Sequence, residues 1–203
     1  MQAKIQRVHI EPGRRILAVS DIHGERELFF RLLQKMGFCE EDELFLCGDI
    51  IEKGGESLRT LHAVMELSAQ KRVHVLMGNC DSLWMDIASD QENEQLLHYM
   101  LYRGRGILHD MCAQLGIKVS EGMDLLDAKR QMRKAFAREL DWLSRLPHII
   151  DAGRLCFVHA GLRSQALEGQ TDWDVMKYDE FLDEEQAFPY YVVAGHMPVS
   201  NVN

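Results

Sequence analysis

RILAVSDIHGERELFFRLLQKM, residues 15–36, holds the decision about the fold in one stretch. The apolar run RILAVS (15–20) reads as a buried strand and stops abruptly at Asp21-Ile22-His23-Gly24. Beyond that turn, Leu28, Phe29, Leu32, Leu33 and Met36 recur at helical spacing and predict a helix with one apolar face. The unit then repeats. ELFLC (43–47) runs into Gly48-Asp49 and on to a second helical face at Leu58, Leu61 and Met65, and VHVLM (73–77) runs into Gly78-Asn79. Later, RLCFV (154–158) runs into His159-Ala160-Gly161, and YYVVA (190–194) into Gly195-His196. Strands alternating with helices at this spacing predict a layered α/β architecture.

Residues 82–147 break the rhythm. They lack strand signals and carry helical patterns, clearest at Met132, Phe136, Leu140 and Leu143, with Pro147 as the stop. They read as a helical insertion packed over one end of the sheet, divided near RGRG (103–106), so that residues 1–203 form a single domain. The length of 203 residues, with 46% hydrophobic and 27% charged residues, suits one soluble domain with a substantial core. A formal net charge of −9 argues against a broad basic surface for nucleic acid or for an anionic membrane. The five cysteines are widely spaced, without a Cys-x-x-Cys pair, and three sit in strand-like runs. That is the pattern of a reducing compartment, and with no signal-peptide core at MQAKIQRVHIEPG and no membrane-length apolar run the expected location is cytoplasmic.

Five strand candidates end in ligand-type residues, always on the C-terminal side, which is where open α/β sheets bind ligands. The candidates are Asp21, His23, Asp49, Asn79, His159 and His196. Each alone is an ordinary turn residue or half-buried imidazole, but their shared placement after separate apolar strands is not an ordinary pattern. Six such groups are too many for one four-coordinate ion with an open position. They suit two ions about 4 Å apart sharing a carboxylate, and mixed oxygen and nitrogen donors point to Mn, Fe or Zn rather than Mg or Ca.

The blocks DIHGE (21–25), GDIIEKGGES (48–57), GNCD (78–81), LSRLPHII…FVHAGL (143–162) and AGHMPV (194–199) resemble the calcineurin-like metallophosphoesterase superfamily. The likeness is to its phosphoprotein phosphatase and diadenosine tetraphosphate hydrolase branch. The resemblance implies a four-layer αββα sandwich with the insertion at about 82–147. It also implies Asp21 and His23 on a first metal, Asp49 as the bridge, and Asn79, His159 and His196 on a second. The activity it implies is hydrolysis of phosphate esters or anhydrides by a metal-bridging hydroxide. The substrate would be a phosphorylated small molecule, a nucleotide or a phosphoprotein. Family members continue through further strands after the last histidine block, so a chain ending seven residues past His196 reads as trimmed or as an unusually short sandwich.

The sequence departs from that pattern around the chemistry. The branch follows its Asn ligand with a His acid oriented by an Asp, where this chain has Cys80 and Glu52. A thiol, with an unperturbed pKa of about 8.5 and weak hydrogen bonding, is a poorer proton donor. Asn79, Cys80 and Glu52 are therefore the catalytic candidates. The first phosphate-gripping Arg falls at Lys53, which loses the bidentate fork. The second falls in VMKYDEF (175–181), leaving only Lys177 or Tyr178; Arg163 is the candidate for that grip, while Arg103 and Arg105, which could also supply it, read individually as solvated surface arginines. A Cys-x5-Arg nucleophile loop is excluded because the residue six after Cys80 is Asp86. A ligand role for the thiolate is chemically open, but the six-residue set is complete without it. The expectation is an enzyme that prefers good leaving groups; the alternative is a catalytically silent metal-binding scaffold of the same fold.

Overall fold

The computed structural model describes residues 1–94, 98–99, 106–183 and 187–199. Within them lie seven strands: β1 (Ile5–Arg7), β2 (Ile16–Val19), β3 (Glu43–Leu46), β4 (Val73–Val75), β5 (Ile149–Asp151), β6 (Leu155–Val158) and β7 (Tyr191–Val193). The helices are α1 (Arg26–Met36), α2 (Ser57–Leu67), α3 (Trp84–Ala88), α4 (Ile107–Leu115), α5 (Leu125–Ala135), α6 (Ala137–Arg145) and α7 (Asp172–Lys177). None of the described helices is long and apolar enough to cross a membrane.

Two sheets form, one all-parallel in the order β2-β3-β4 and one mixed in the order β1-β5-β6-β7. β3 is central and buried along its whole length. Because its side chains alternate, Leu44 and Leu46 join the cluster under α1 and α2, while Phe45 and Cys47 turn to the other face. There Phe45 stacks on Phe157 of β6 with ring centroids 3.7 Å apart, and Leu76 and Ile150 close the layer between the sheets. Cys156 and Val158 belong instead to the large cluster that includes Val175 and Met176 of α7. The αββα layering that the resemblance implies is present.

All five anticipated strands form, each shorter than its apolar run. β1 and β5 were not anticipated: each is three residues long and gains its identity from pairing, Ile5 with Ile149 and Ile149 with Val158, rather than from its own pattern. The α1 stripe is half right. Phe29 and Leu33 are buried, but Leu28 is 62% exposed, since α1 lies over the open edge strand β2 and only its inner row meets the sheet. In the insertion, the helix foreseen through Met132, Phe136 and Leu140 is two helices, broken where buried Phe136 leaves helical geometry at φ −114°. These helices pack on α2 and α3, and their apolar residues share the same cluster as the sheet. Of RGRG, only Gly106 is among the described residues.

Candidate metal centre

The C-terminal ends of β2, β3, β4, β6 and β7 meet along one rim. Backbone bonds lock the loops together: Asp21 N donates to Gly48 O at 3.1 Å, His23 N to Asp49 O at 2.8 Å, and Gly195 N to His159 O at 2.8 Å. Every described non-glycine residue with positive φ lies in these loops: Asp21, His23, Asp49, Glu52, Lys53 and His196. Left-handed backbone costs such residues roughly 1–2 kcal/mol each and persists only where surroundings over-determine it. Part of that surrounding is a close approach at Gly78, where any Cβ would fall 2.2 Å from the Asp49 backbone nitrogen. Another part is Asp81, fully buried, which accepts from Ile50 N (2.9 Å), Ile51 N (3.2 Å) and Gly78 N (2.9 Å), stapling two loops. Burial and the adjacent Asp49 charge push the Asp81 carboxyl up against the pull of these three donors.

The rim side chains converge as acceptors. His159 Nδ1 pairs with Cys47 O at 2.8 Å, which assigns the ring proton to that nitrogen and turns the Nε2 lone pair inward. Facing that lone pair are Asn79 Oδ1 at 2.9 Å and Asp49 Oδ1 at 3.4 Å. Burial lowers the His159 pKa despite the Asp49 charge, which favours the neutral ring with its Nε2 lone pair turned toward Asp49. His23 is built alike: Nδ1 faces Ile51 O at 3.3 Å, and Nε2 faces Asp21 Oδ1 at 3.5 Å and Asp49 Oδ2 at 3.6 Å. Burial works against protonation of His23, but the bond to Asp21 and the Asp49 charge outweigh it and raise its pKa. For Asp21, burial is again the opposing force, and bonds from His23, Ser20 and the His196 amide hold the carboxyl well below the usual range.

Two groups of possible ligand atoms share Asp49: His23, Asp49 and Cys80, and Asp21, Asp49 and His159, each within 4.8 Å of one another. Imidazole and carboxylate donors gathered this closely are the chemistry of a divalent-cation site, and a carboxylate common to both groups fits a bridge. His196 enters neither group. Its ring lies 5.0 Å from that of His159, its backbone N donates to Asp21 Oδ2 at 2.9 Å, and its Nε2 meets Asp179 Oδ1 at 2.7 Å.

The remaining candidates are placed unevenly. Cys80 is buried beside Asp49, its N donating to Asp49 Oδ1 at 2.8 Å, and burial together with that carboxylate pushes the thiol up, keeping it protonated. Lys53 Nζ lies 2.9 Å from His23 Nε2, at the mouth of the site. Glu52 is 1% exposed, and its Oε1 accepts from Ile107 N of the insertion at 2.8 Å. Arg163 stacks on the Tyr178 ring at 3.7 Å and pairs with Asp174 at 3.3 Å, while Lys177 lies over Trp173. Arg103 and Arg105 lie outside the described residues. Sequence reasoning gave no role to three supporting groups. Ser20 Oγ bonds Asp21 Oδ2 at 2.6 Å and Cys47 O at 3.1 Å, and Asp81 and Asp179 support the rim as above. Asp81 closes the GNCD block and Asp179 lies in VMKYDEF, so both stand inside motifs the sequence already marks.

The calcineurin-like phosphoesterase family model matches residues 14–203, and the chain belongs to that family. It is 32% identical over 150 residues to the symmetrical bis(5'-nucleosyl)-tetraphosphatase of Xanthomonas oryzae pv. oryzae, a match covering 72% of this chain and 39% of that one. The chain therefore spans about two fifths of that relative's length. With the asymmetrical bis(5'-nucleosyl)-tetraphosphatase of Bacillus anthracis, identity is 29% over 209 residues, covering 89% of this chain and 78% of the other. A crystal structure provisionally described as a diadenosine tetraphosphatase superposes with a TM-score of 0.59 at 21% identity, covering 96% of this chain and 79% of that one, and shows the shared fold.

Proposed function

We propose that this chain is a dinuclear metal-dependent phosphoesterase that cleaves phosphoric anhydrides of the dinucleoside polyphosphate kind. The observation that carries the reading is the gathering of His23, Asp49 and Cys80 and of Asp21, Asp49 and His159 into two groups that share the Asp49 carboxylate, an arrangement that suits two cations. The names of the Xanthomonas and Bacillus relatives supply the substrate class. Asp21, His23, Asp49, Asn79, His159 and His196 would hold two ions of Mn, Fe or Zn. Bound there, the ions supply Lewis-acid activation of water and of the phosphoryl oxygens.

The chain's own residues do the rest. Asp49 keeps one oxygen toward each imidazole and so holds the two halves of the site in register. The Nδ1 bonds to Cys47 O and Ile51 O fix both ring orientations before any substrate arrives. Lys53 offers the exposed ammonium for a phosphoryl oxygen, as a point charge rather than a fork. Cys80 offers a thiol that is a weak acid, since burial raises it. A nucleotide leaves an anhydride as a stable anion and needs little protonation, whereas a serine alkoxide needs a strong donor. This selects anhydrides and aryl esters over phosphoserine. Assays with added Mn²⁺ on a monoester, a diester and a dinucleoside tetraphosphate test it: the third should turn over fastest, and equal inactivity on all three ends the enzyme reading.

One observation favours a second reading, a metal-binding scaffold without turnover. Arg163 is held by Asp174 and Tyr178, so phosphate grip falls to Lys53. An Asp49→Asn protein separates the two: loss of turnover with the fold retained supports the enzyme, while unchanged cellular function without bound metal supports the scaffold.

A further inference from the structure

We propose that Glu52 is a positioning residue whose buried carboxylate ties the loop carrying Lys53 to the first turn of α4, so that the helical insertion sets the place of the Lys53 ammonium. What Lys53 does there rests on the phosphoesterase reading; the tie itself rests on geometry alone.

The tie is reciprocal. Glu52 Oε1 accepts from Ile107 N, the first residue of α4, at 2.8 Å, and Tyr99 bonds the same carboxylate. In return Asp110, in the first turn of α4, accepts from Leu58 N at the start of α2 at 2.8 Å. Neither helix is capped by its own N-cap side chain. Each helix start leaves backbone amides without intrahelical partners, and a carboxylate placed there is favoured by the helix dipole. Each helix is thus capped by an acid from the other's neighbourhood. Gly106 makes room: a Cβ at that position would sit 2.2 Å from Glu52 Oε2.

Between the two ties run Glu52 and Lys53, consecutive residues with φ of +73° and +65°. Two adjacent left-handed residues without glycine do not hold themselves. Ser57 Oγ accepts from Glu52 N at 2.9 Å and Gly54 N donates to His23 O at 2.8 Å, which pins the loop to the DIHGE turn. The side chain of Glu52 is the link that reaches across to the insertion. Phosphate engaged by Lys53 and order in α4 are then two readings of one element.

The test uses the metal-loaded full chain, with inorganic phosphate as the probe, and measures phosphate affinity and amide hydrogen exchange together. Glu52→Ala should weaken phosphate binding about tenfold, within the range for loss of an outer-shell partner. It should also speed exchange both at 52–54 and at 107–110. Glu52→Gln keeps an oxygen for Ile107 N and should recover most of the affinity. Lys53→Ala should lose affinity without loosening α4. Equal loss in Glu52→Gln and Glu52→Ala, or a loosened α4 with unchanged phosphate affinity, overturns the proposal. If the unaltered protein binds no phosphate, the phosphoesterase reading is what fails. The tie is then judged by exchange alone, and unchanged exchange at 52–54 in Glu52→Ala would sink it.

Discussion

The rim of strand ends and the helical insertion are built on opposite terms. At the rim, left-handed backbone is concentrated at Asp21, His23, Asp49, Glu52, Lys53 and His196, and polar groups face one another in a buried space. In the described part of the insertion, the non-glycine residues keep ordinary negative φ, and the fold follows from burying Met111, Met132, Leu140 and Leu143. Strain is tolerated where the two sheets over-determine the loops, and the insertion has no such scaffold around it. The rim should therefore be intolerant of small chemical changes, while the insertion should tolerate changes that keep volume.

The sharpest way to break that contrast is Asp49→Asn. Replacing one oxygen of the shared carboxylate should cut turnover by at least about 10³-fold, roughly 4 kcal/mol of barrier, and elemental analysis should show fewer than two metal equivalents. Next comes the layer beneath the rim. Phe157→Ala removes one ring of the 3.7 Å stack with Phe45 and should cost about 3–5 kcal/mol in urea unfolding, because neither sheet can close over the gap. Asp81→Asn keeps one acceptor oxygen but sets an amide N–H₂ against a backbone donor, so about 1–3 kcal/mol of stability should go, and metal affinity with it. The insertion supplies the small effects. Lys129, on α5 with Nζ bonded to Gln91 O at 2.6 Å, should lose only about 1 kcal/mol on change to methionine, because the volume of the stem is kept and one hydrogen bond at a part-buried site is lost. Arg145→Ala, which breaks the solvent-exposed pair with Asp141, should change thermal stability by about 0.5 kcal/mol or less. If Lys129→Met destabilises more than Asp81→Asn, the contrast is wrong.

The same contrast explains what could be read from the sequence. Rim residues announce themselves because Asp, His and Asn directly after an apolar strand have no packing reason to be there, and each of the five strands repeats the signal. Glu52 was legible as a departure but not as a partner of Ile107, 55 residues away, because nothing local records a cross-chain cap. Lys129 reads as a solvated helix residue in DAKRQMRKAF, and only the packing of 88–91 against α5 buries it. Phe136 has the right period for one long helix, and periodicity does not show where a backbone must bend to keep two apolar faces on one neighbour. β1 and β5 were invisible for a related reason: three residues carry no alternation worth counting, and their strand character comes from their partners.

One bond gives the site a place in the order of folding. His196 N donates to Asp21 Oδ2 across 175 positions, and His159 reaches Cys47 O across 112. Closures of that length belong to slow-forming topology, and the rim cluster cannot assemble until both sheets have docked. A cation taken up there recognises the native chain and not its unfolded form. At a hundredfold excess over its dissociation constant it would add about 2.7 kcal/mol to the native state and make the melting temperature rise with metal concentration. Chelation would then remove a clasp that closes only after the two ends of the chain have come together.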